Sequence, residues 1–368
     1  PMIVRLGEQG VEVISEIELA GRHASARFVC ITGSNGKTTT TLLVHHILTR
    51  AGMDAGLAGN VGKSLAVQVA EEAHPLYVVE LSSFQLDGMF RFRADIAILT
   101  NITPDHLDRY DHKFENYINS KFLILNNMRP EDLFIYGADS EAVQQKLSTL
   151  EVVPAAAGFT YGGQEKAEGA WMEGECIVAR MGARCFRIDK NEVSIKGRHN
   201  VYNAMAAILA CMRLGLEDEQ IADGLRTFPQ VEHRLETVRV KDGVTYVNDS
   251  KATNVDSAWY ALDSMETPVV WIAGGTDKGN DYSVLFDLVS QKVKTLICMG
   301  LDNKKLIESF SPFCEVIDTD NLSDAIAAAQ ERAKSGDTVL LSPCCASFDL
   351  FKNYENRGEL FKEAVRKL

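Results

Sequence analysis

The sequence lacks the features that mark membrane-spanning, secreted or zinc-binding proteins. It has no apolar run of membrane-spanning length. Its eight cysteines are few and scattered, with no C-x-x-C pair and no Cys/His cluster, which argues against a disulfide scaffold and a zinc site. The net charge of -13 argues against broad binding to nucleic acid or to a membrane surface. We therefore expect a cytoplasmic protein in a reducing environment, with no nucleic-acid or membrane partner.

What the sequence does contain is an alternation of short apolar runs and helical patterns over its 368 residues. Such alternation predicts an α/β fold with a mostly parallel sheet. A proline and a change of pattern in TFPQVEHR, Thr227–Arg234, predict a domain boundary. Residues 1–229 would form one domain and residues 230–368 a second, Rossmann-like domain. Residues 151–196, with short strand-like pieces and glycine turns, predict a small antiparallel patch at the edge of the first domain.

The same patterns place individual elements along the chain. The predicted strands are Phe28–Ile31, Tyr77–Leu81, Asp95–Ile102, Leu133–Tyr136, Thr245–Asn248, Val269–Ala273, Thr295–Met299, Glu315–Ile317 and Thr338–Leu341. The predicted helices are Lys37–Arg50, Lys113–Asn126, Val201–Leu214 and Asp218–Arg226. The second domain lacks a G-x-G-x-x-G fingerprint, so we expect no dinucleotide site there.

The stretch ITGSNGKTTTT, Ile31–Thr41, follows the first predicted strand and is similar to a phosphate-binding loop. The standard pattern is G-x-x-x-x-G-K-[ST], and Ile31 stands where its first glycine should be. A strand, a glycine-rich turn and a helix N-terminus direct backbone N–H groups and the helix dipole at an anion. Lys37 would contact the terminal phosphates of a nucleotide, and Thr38 would bind Mg²⁺. The residues predicted to hold the phosphates are Gly33, Ser34, Asn35, Gly36, Lys37, Thr38 and Thr39.

Two further predicted strands end in polar residues, at the position where open α/β sheets bind ligands. Glu80 ends the first of them and would suit Mg²⁺, although a solvated glutamate at a strand end is the alternative. Ser82 and Gln85 add polar groups at the same edge. After the second strand, His106 is either a metal ligand or a surface or capping residue. We therefore expect a ligand site where these strand ends meet the phosphate loop.

Lys121 is the most informative single residue. It lies seven positions after Phe114, on the apolar face of the predicted helix. A lysine aimed at a core is unusual. It either snorkels to the rim of the core or is desolvated, with a lowered pKa. In the second case the neutral amine can react with CO₂ to form a carbamate, an anion that could bind Mg²⁺.

Polar residues also mark the helix in KGRHNVYNAMAA and the strand ends of the second domain. Asn200 and Asn203 fall within one helical turn and could hydrogen-bond the edge of an adenine, although Asn200 could equally cap the helix. In the second domain, cationic and hydroxyl side chains would suit phosphates and carboxylates. The cationic and hydroxyl residues there are Arg234, Ser250, Lys251, Thr253, Lys278, Ser347 and Tyr354, and the carboxylate of Asp249 lies among them in the sequence.

Taken together and in this order, seven motifs resemble those of the Mur ligases over essentially the whole chain. They are G-S-N-G-K-T-T, E-L-S-S-F-Q-L, N-x-T-x-D-H-L-D-R-Y, H-N-x-x-N, E-H-R, N-D-S-K-A-T-N and S-P-x-x-A-S-F-D-x-F. The resemblance implies a central P-loop ATPase domain, for which the short loop is normal, and a C-terminal Rossmann-like domain that binds the amino acid. Because residues 1–27 resemble the link into the central domain, it also implies that an N-terminal UDP-binding domain is missing. We expect a monomer.

Within the family, the motifs are closest to those of the enzymes that join D-glutamate to UDP-MurNAc-L-alanine in peptidoglycan synthesis. The resemblance implies that ATP phosphorylates the substrate carboxylate to an acyl phosphate, which the amine of D-glutamate then attacks. It implies ATP and two Mg²⁺ ions. By the family match, Thr38, Glu80, His106 and Lys121, the last as a carbamate, hold the metals. The residues that it places in catalysis are Lys37, His106, Lys121 and Lys278.

The resemblance also assigns the remaining contacts of the substrates. The residues it assigns to the nucleotide outside the loop are Asn200, Asn203, Arg234 and Asp249. The residues it places near the muramoyl substrate are Asn60 and His106, with Ser82 and Gln85 as further substrate contacts. The residues it assigns to D-glutamate are Lys251, Thr253, Lys278, Ser347 and Tyr354.

The sequence leaves three alternative functions for the chain. Folylpolyglutamate synthase has the same domain plan, but its loop typically reads G-T-N-G-K-G-S, whereas Thr38 and Thr39 follow Lys37 here. Other Mur ligases add L-alanine, a diamino acid or a dipeptide, and the D-N-P-[RA] segment typical of the diamino-acid enzymes is absent here. The third alternative is an ATP-binding module that is inactive without its N-terminal domain.

Overall fold

Two units make up the chain in the computed structural model, Pro1–Pro229 and Gln230–Leu368. The structure describes residues 9–105, 107–150, 154–162 and 167–368. Each unit contains a largely parallel sheet with helices packed on its faces, which confirms the predicted α/β class. Among the described residues, no helix combines the length and the apolar character that crossing a membrane requires.

The sheet of the first unit contains nine strands within the described residues. In chain order they are β1 (Arg27–Thr32), β2 (Gly56–Gly59), β3 (Leu76–Glu80), β4 (Ile96–Leu99), β5 (Leu133–Gly137), β6 (Ala155–Thr160), β7 (Gly169–Glu173), β8 (Cys176–Met181) and β9 (Arg184–Asp189). Their order across the sheet is β2-β3-β1-β4-β5-β6-β7-β8-β9. Neighbours from β2 to β7 pair in parallel. The pairs β7–β8 and β8–β9 are antiparallel, which confirms the predicted patch at this edge.

The helices of the first unit follow from local sequence and burial. In chain order they are α1 (Glu16–His23), α2 (Lys37–Arg50), α3 (Leu65–Glu71), α4 (Ser83–Leu86), α5 (Phe114–Phe122), α6 (Glu141–Leu147), α7 (Arg198–Arg213) and α8 (Asp218–Thr227). α7 is rich in alanine and buried along most of its length, so it packs closely against α2 and the sheet. The predicted extension of α5 to Asn126 is wrong, because a 3₁₀ turn, Leu123–Leu125, follows and the backbone turns at left-handed Asn127.

Parallel pairing brings the ends of β1, β3 and β4 to the same edge of this sheet. Ile31 of β1 lies level with Glu80 of β3, and Thr32 lies level with Leu99 of β4. The phosphate-binding loop follows Thr32 directly, so the loop, Glu80 and the residues after Leu99 meet at this edge. This is the position at which open α/β sheets bind ligands.

The second unit has a six-stranded sheet in the order β10-β11-β15-β12-β13-β14, parallel except for β10. Its strands are β10 (Glu236–Lys241), β11 (Val244–Asn248), β12 (Val269–Ala273), β13 (Val293–Met299), β14 (Glu315–Thr319) and β15 (Thr338–Leu341). Its helices are α9 (Val255–Asp263), α10 (Phe286–Lys292), α11 (Lys304–Phe310), α12 (Leu322–Arg332) and α13 (Tyr354–Lys367). Alternate residues of β12 belong to two apolar clusters, one around Trp271 and one around Phe361, so both faces of the sheet are covered. The Rossmann-like prediction is confirmed.

Candidate active site

The phosphate-binding loop joins β1 to α2 through Gly33–Gly36, and its backbone requires glycine at both ends. Gly33 has φ 143° and Gly36 has φ 81°, values that side chains with a Cβ rarely adopt. A Cβ on Gly33 would overlap the hydroxyl of Thr100, and a Cβ on Gly36 would lie 2.5 Å from Oδ1 of Asn203. The two glycines therefore let the loop backbone pass close to the residues after β4 and to α7.

Groups that follow β4 hold the loop in shape. The backbone N–H of Ser34 donates to the carbonyl of Asn101 at 2.9 Å, and that of Asn35 donates to Oδ1 of Asn101 at 2.9 Å. The hydroxyl of Thr100 donates to the carbonyl of Asn35 at 2.6 Å, and that of Ser34 donates to the carbonyl of Thr103 at 2.9 Å. Since these N–H groups already have acceptors, we expect the first turn of α2 to supply the donors for a bound anion.

Lys37 begins α2, and its side chain folds back over the loop. Its Nζ donates to the carbonyl oxygens of Gly33 and Ser34, both at 2.8 Å. These bonds hold a positive charge beside the loop backbone. Thr38 and Thr39 follow in the same turn, and both are buried. The predicted phosphate-binding residues therefore form a continuous segment, the loop and the first turn of α2. Their contact with a nucleotide stays a prediction.

The asparagines of α7 form a chain of hydrogen bonds that ends at α2. The hydroxyl of Thr40 donates to Oδ1 of Asn203 at 3.1 Å, and Nδ2 of Asn203 donates to Oδ1 of Asn200 at 3.0 Å. Gly197 occupies the N-cap position of α7, so the capping alternative for Asn200 is wrong. Asn203 lies against Gly36, which places the predicted adenine-binding residues next to the phosphate loop.

Glu80 is buried at the end of β3, with 2% of its surface exposed. Nδ2 of Asn60 donates to its Oε1 at 3.0 Å, and the backbone N–H of Asn60 donates to its carbonyl at 2.9 Å. Its Oε2 is buried and has no hydrogen-bond partner within the described part of the chain. The alternative of a solvated strand-end glutamate is therefore wrong. An uncompensated carboxylate oxygen in a buried site is suited to a cation.

Lys121 is also buried, with 2% exposed, so the snorkelling alternative is wrong. Its Nζ donates to Oγ1 of Thr32 at 3.1 Å and lies 5.3 Å from the ring centroid of Tyr117. In residues 9–105 and the other described ranges, no carboxylate oxygen lies within ion-pair distance of this nitrogen. Burial lowers the pKa of Lys121 well below its ordinary value, and the positive charge of Lys37 lowers it further. The predicted desolvated amine is thus present.

The remaining predicted residues of the first unit differ in what they contact. Ser82 and Gln85 form a capping box at the start of α4: Oε1 of Gln85 accepts from the Ser82 N–H and hydroxyl, each at 2.9 Å. Their first role is therefore to begin that helix. His106 lies outside the described residues, and its predicted metal contact stays a prediction.

Asp249 follows β11 in the second unit and is buried. Its Oδ2 accepts from the hydroxyl of Ser342 at 2.8 Å, and its Oδ1 accepts from the backbone N–H of Leu235 at 3.2 Å. Burial raises the pKa of Asp249 to about 7, although the positive charge of Arg234 and the Ser342 hydrogen bond oppose the rise. A carboxyl group that titrates near neutral pH in a strand-end loop is a candidate for a functional role.

The residues predicted to bind D-glutamate all follow carboxyl ends of neighbouring strands in the second sheet. Lys251 and Thr253 follow β11, Lys278 follows β12, and Ser347 and Tyr354 follow β15. Nζ of Lys251 lies 5.4 Å from the ring centroid of Tyr354, as in a cation–π contact. Lys278 is exposed and Ser347 is buried. The strand order therefore puts these five residues at one edge of the sheet.

Arg357 of α13 is a residue of this edge that the sequence did not reveal. It is fully buried, and it donates to the hydroxyl and carbonyl of Ser250 at 3.0 and 2.8 Å and to the carbonyl of Cys345 at 3.3 Å. Burial lowers its pKa to about 10. It ties the loop after β11 to the loop after β15. An arginine in a charged helix such as NYENRGELFK is ordinarily exposed, so no sequence signal pointed to it.

Comparisons with known families and proteins identify the relatives of this chain. Residues 31–211 match the Mur ligase middle domain, and residues 233–345 match the Mur ligase, glutamate ligase domain. A protein of Bacteroides fragilis named UDP-N-acetylmuramoylalanine--D-glutamate ligase is 51% identical over 372 residues, which cover 100% of this chain and 83% of the relative.

Two solved structures share the fold. The MurF ligase from Thermotoga maritima in complex with ADP has a TM-score of 0.70 and 15% identity, covering 96% of this chain and 84% of that one. The Mycobacterium tuberculosis folylpolyglutamate synthase complexed with ADP and AMPPCP has a TM-score of 0.68 and 15% identity, covering 97% of this chain and 93% of that one. At this identity the likeness shows the fold alone.

Proposed function

The chain belongs to the Mur ligase family, and we propose that it uses ATP to join D-glutamate to UDP-MurNAc-L-alanine in peptidoglycan precursor synthesis. The observation that carries the proposal is the identity with the Bacteroides fragilis ligase of that name, which extends over the whole chain. In this proposal, residues 1–229 form the ATP-binding domain and residues 230–368 the amino-acid-binding domain.

The first unit would hold the phosphates of ATP at the loop and the first turn of α2. Lys37, which now bonds loop carbonyls at 2.8 Å, would turn its ammonium group to the terminal phosphates. The N–H groups of the turn and the helix dipole would add further positive potential. Asn200 and Asn203 lie beside this turn, which supports their predicted contact with adenine.

The residues beside the loop fit Mg²⁺. The buried Oε2 of Glu80 lacks a partner among the described residues, and the hydroxyl of Thr38 lies in the first turn of α2. These two residues and a carbamate on Lys121 would hold the metal, with His106 as a further predicted ligand, and two ions are the proposed number. When bound, Mg²⁺ supplies positive charge that offsets the charge of the transferring phosphoryl group.

Lys121 would act as a carbamate rather than as a cation. Its desolvated amine is available as a nucleophile because burial disfavours the ammonium form. The amine nitrogen would form a bond to the carbon of CO₂ and lose one proton to solvent, which leaves a carbamate with a single negative charge. This anion would replace the neutral amine in the pocket between Thr32 and Tyr117.

The reaction needs activation because a carboxylate is a poor electrophile. Transfer of the γ-phosphoryl group of ATP to a carboxylate oxygen of UDP-MurNAc-L-alanine gives an acyl phosphate and ADP. The amine of D-glutamate then attacks the acyl carbon, the amine loses a proton, and inorganic phosphate leaves. Lys278 would stabilise the oxyanion of the tetrahedral intermediate. Lys251, Thr253, Ser347 and Tyr354 would hold the carboxylates of D-glutamate.

A direct assay decides between this proposal and its rivals. Phosphate release is measured with ATP, Mg²⁺ and UDP-MurNAc-L-alanine, and each candidate amino acid is added in turn. Release that depends on D-glutamate supports the proposal, whereas release that depends on another amino acid in its place contradicts it. Folate substrates test the folylpolyglutamate synthase alternative. Binding of ATP without substrate-dependent release indicates an ATP-binding module.

We propose that the chain acts as a monomer in the bacterial cytoplasm, where ATP and nucleotide-linked precursors are available. Sedimentation at concentrations used in the assay tests the monomer, and a dimer at those concentrations would contradict it.

A further inference from the structure

Lys362 of α13 is a buried lysine that the proposed chemistry does not use. The residue as a whole is 2% exposed. Its Nζ lies 2.7 Å from Oε1 of Glu359, 3.2 Å from Oε1 of Glu232 and 3.3 Å from Oε1 of Glu236. Burial alone would lower the pKa of Lys362, but the three carboxylates outweigh it and the pKa is raised. The residue is therefore a buried cation that joins three acidic side chains.

Two of these carboxylates belong to residues on either side of the turn that contains Arg234. Glu232 precedes the turn, and Glu236 follows it at the start of β10. Between them, His233 has φ 62° and Leu235 has φ 45°, left-handed values that are rare for residues other than glycine. Backbone of this kind persists only where the surrounding structure holds it.

Contacts from the sheet and from α13 hold the same turn. Nδ2 of Asn248 donates to Nδ1 of His233 at 3.0 Å, and Oε2 of Glu236 accepts from the His233 N–H at 2.9 Å. The His233 ring packs against Gly358 of α13, where a Cβ would overlap Nδ1. The turn is therefore anchored on α13 at two points, Gly358 and Lys362.

The same cluster is not suited to a metal ion, although Glu232, His233 and Glu359 lie close enough to share one. Because Asn248 donates to Nδ1 of His233, the neutral ring carries its proton on Nε2 and has no free lone pair. The ammonium group of Lys362 already contacts both carboxylates. Lys362 is the cation of this cluster.

Arg234 depends on the turn for its direction. Its Nε is buried without a partner, and its guanidinium donates no hydrogen bond to any residue in the described part of the chain. We propose that Lys362 is a positioning residue whose ion pairs hold this turn and thereby fix the backbone that carries Arg234, the residue that the family resemblance assigns to the nucleotide. This inference rests on the proposed function and on the contact between Arg234 and the nucleotide that the family resemblance implies.

A double-mutant cycle on nucleotide binding tests the inference. The affinity for AMPPNP with Mg²⁺ is measured by calorimetry in wild type, Lys362→Met, Arg234→Ala and the double variant. We expect each single variant to weaken binding about tenfold. The double variant should bind no more weakly than Arg234→Ala, because Lys362 acts through Arg234. Lys362→Arg keeps the charge and should restore most of the affinity.

The controls separate positioning from general stability. Lys292 also anchors a helix in this unit, where it donates to the carbonyls of Leu262, Asp263 and Met265, so Lys292→Met should lower the melting temperature without changing the affinity. If Lys362→Met does not fold, Glu232→Gln replaces it, because Glu232 is exposed; this variant should weaken binding about twofold to threefold.

Two results would overturn the inference: an unchanged affinity in Lys362→Met or Glu232→Gln, or effects of Lys362 and Arg234 that add. The proposed function has its own readout, which is phosphate release by the wild type. If the wild type binds AMPPNP but releases no phosphate, the proposed function fails, and the double-mutant cycle still tests the role of Lys362 in nucleotide binding.

Discussion

At the edge of the first sheet, Asn60 hydrogen-bonds only one of the two carboxylate oxygens of the buried Glu80. Nδ2 of Asn60 donates to Oε1 of Glu80 at 3.0 Å, while Oε2 has no partner among the described residues. A buried carboxylate oxygen without a partner destabilises a protein by about 1–3 kcal/mol. Its presence beside the phosphate loop is explained if a cation binds there during the reaction.

Glu80→Gln removes this charge and keeps an oxygen that can accept from Asn60. We expect phosphate release to fall by at least about 100-fold, because the metal loses a ligand. We expect the melting temperature in Mg²⁺-free buffer to stay the same or rise, since an unpaired buried charge disappears. The exposed Glu72, which forms an ion pair with Lys63, gives the control Glu72→Gln, which should leave activity unchanged. Wild-type activity in Glu80→Gln would contradict a metal role for this residue.

Lys121→Met replaces the buried amine by an apolar side chain of similar length. We expect phosphate release to fall at least about 100-fold, and activity of the wild type to fall in CO₂-depleted buffer, because no carbamate can form. The Thr32 hydroxyl still donates to the carbonyl of Leu81 at 2.8 Å, so the pocket keeps that hydrogen bond.

The stability of the same variant should depend on pH in a defined direction. The pKa of Lys121 is lowered in the folded protein, so between that value and 10.5 the unfolded chain binds more protons. Wild-type stability therefore rises with pH in this window. Lys121→Met should be more stable than wild type at pH 7 in CO₂-free buffer, and the advantage should shrink towards pH 10. A constant difference in the unfolding free energy across this range would contradict the neutral amine.

Gly36→Ala tests the close approach of the loop to α7. The new Cβ would lie 2.5 Å from Oδ1 of Asn203 at a backbone φ of 81°. We expect affinity for AMPPNP to fall at least about tenfold, because the loop must shift. Gly52→Ala is a matched control, since Gly52 has φ 84° and no atom within 4 Å of the added Cβ. It should cost about 1 kcal/mol of stability and leave nucleotide affinity unchanged. Equal affinities in both variants would exclude the proposed contact.

Asp249→Asn should change how stability depends on pH. The pKa of Asp249 is raised to about 7 from an ordinary value of 3.8. The folded protein therefore binds more protons between these values, so this group's contribution is greatest below about pH 4 and is lost as pH rises through 7. The unfolding free energy of Asp249→Asn minus that of wild type should therefore increase by about a few kcal/mol from pH 5 to pH 8. Denaturant unfolding at both pH values measures the gain, and parallel pH profiles would contradict the raised pKa.

The sequence predicted the elements that depend on a strong local signal. α2 has the predicted bounds, because Gly36 and the apolar strand before it define its start. β12 and β15 also have the predicted bounds, since both are short runs of buried residues. β2 (GLAG) and β10 (ETVRVK) were not predicted. β2 is short and rich in glycine, and β10 is a half-exposed edge strand, so neither has a clear apolar pattern.

The sequence identified most of the residues of the candidate site, but it did not reveal which of them contact one another. The apolar face of α5 identified Lys121 as a buried lysine, yet Thr32, its hydrogen-bond partner, is 89 positions away in the chain. Asn60 was expected to contact substrate, and only the register of β2 and β3 shows that its amide bonds Glu80. Arg357 and Lys362 are buried through tertiary packing that their charged helix does not reveal.

The measurement that tests the central claim most directly is the rate of phosphate release with ATP, Mg²⁺ and UDP-MurNAc-L-alanine, with and without D-glutamate. Release that requires D-glutamate, is accompanied by an amide product of the expected mass, and is not supported by L-glutamate is the result that we predict. ATP binding without D-glutamate-dependent release, or equal release with another amino acid, would contradict the assigned reaction.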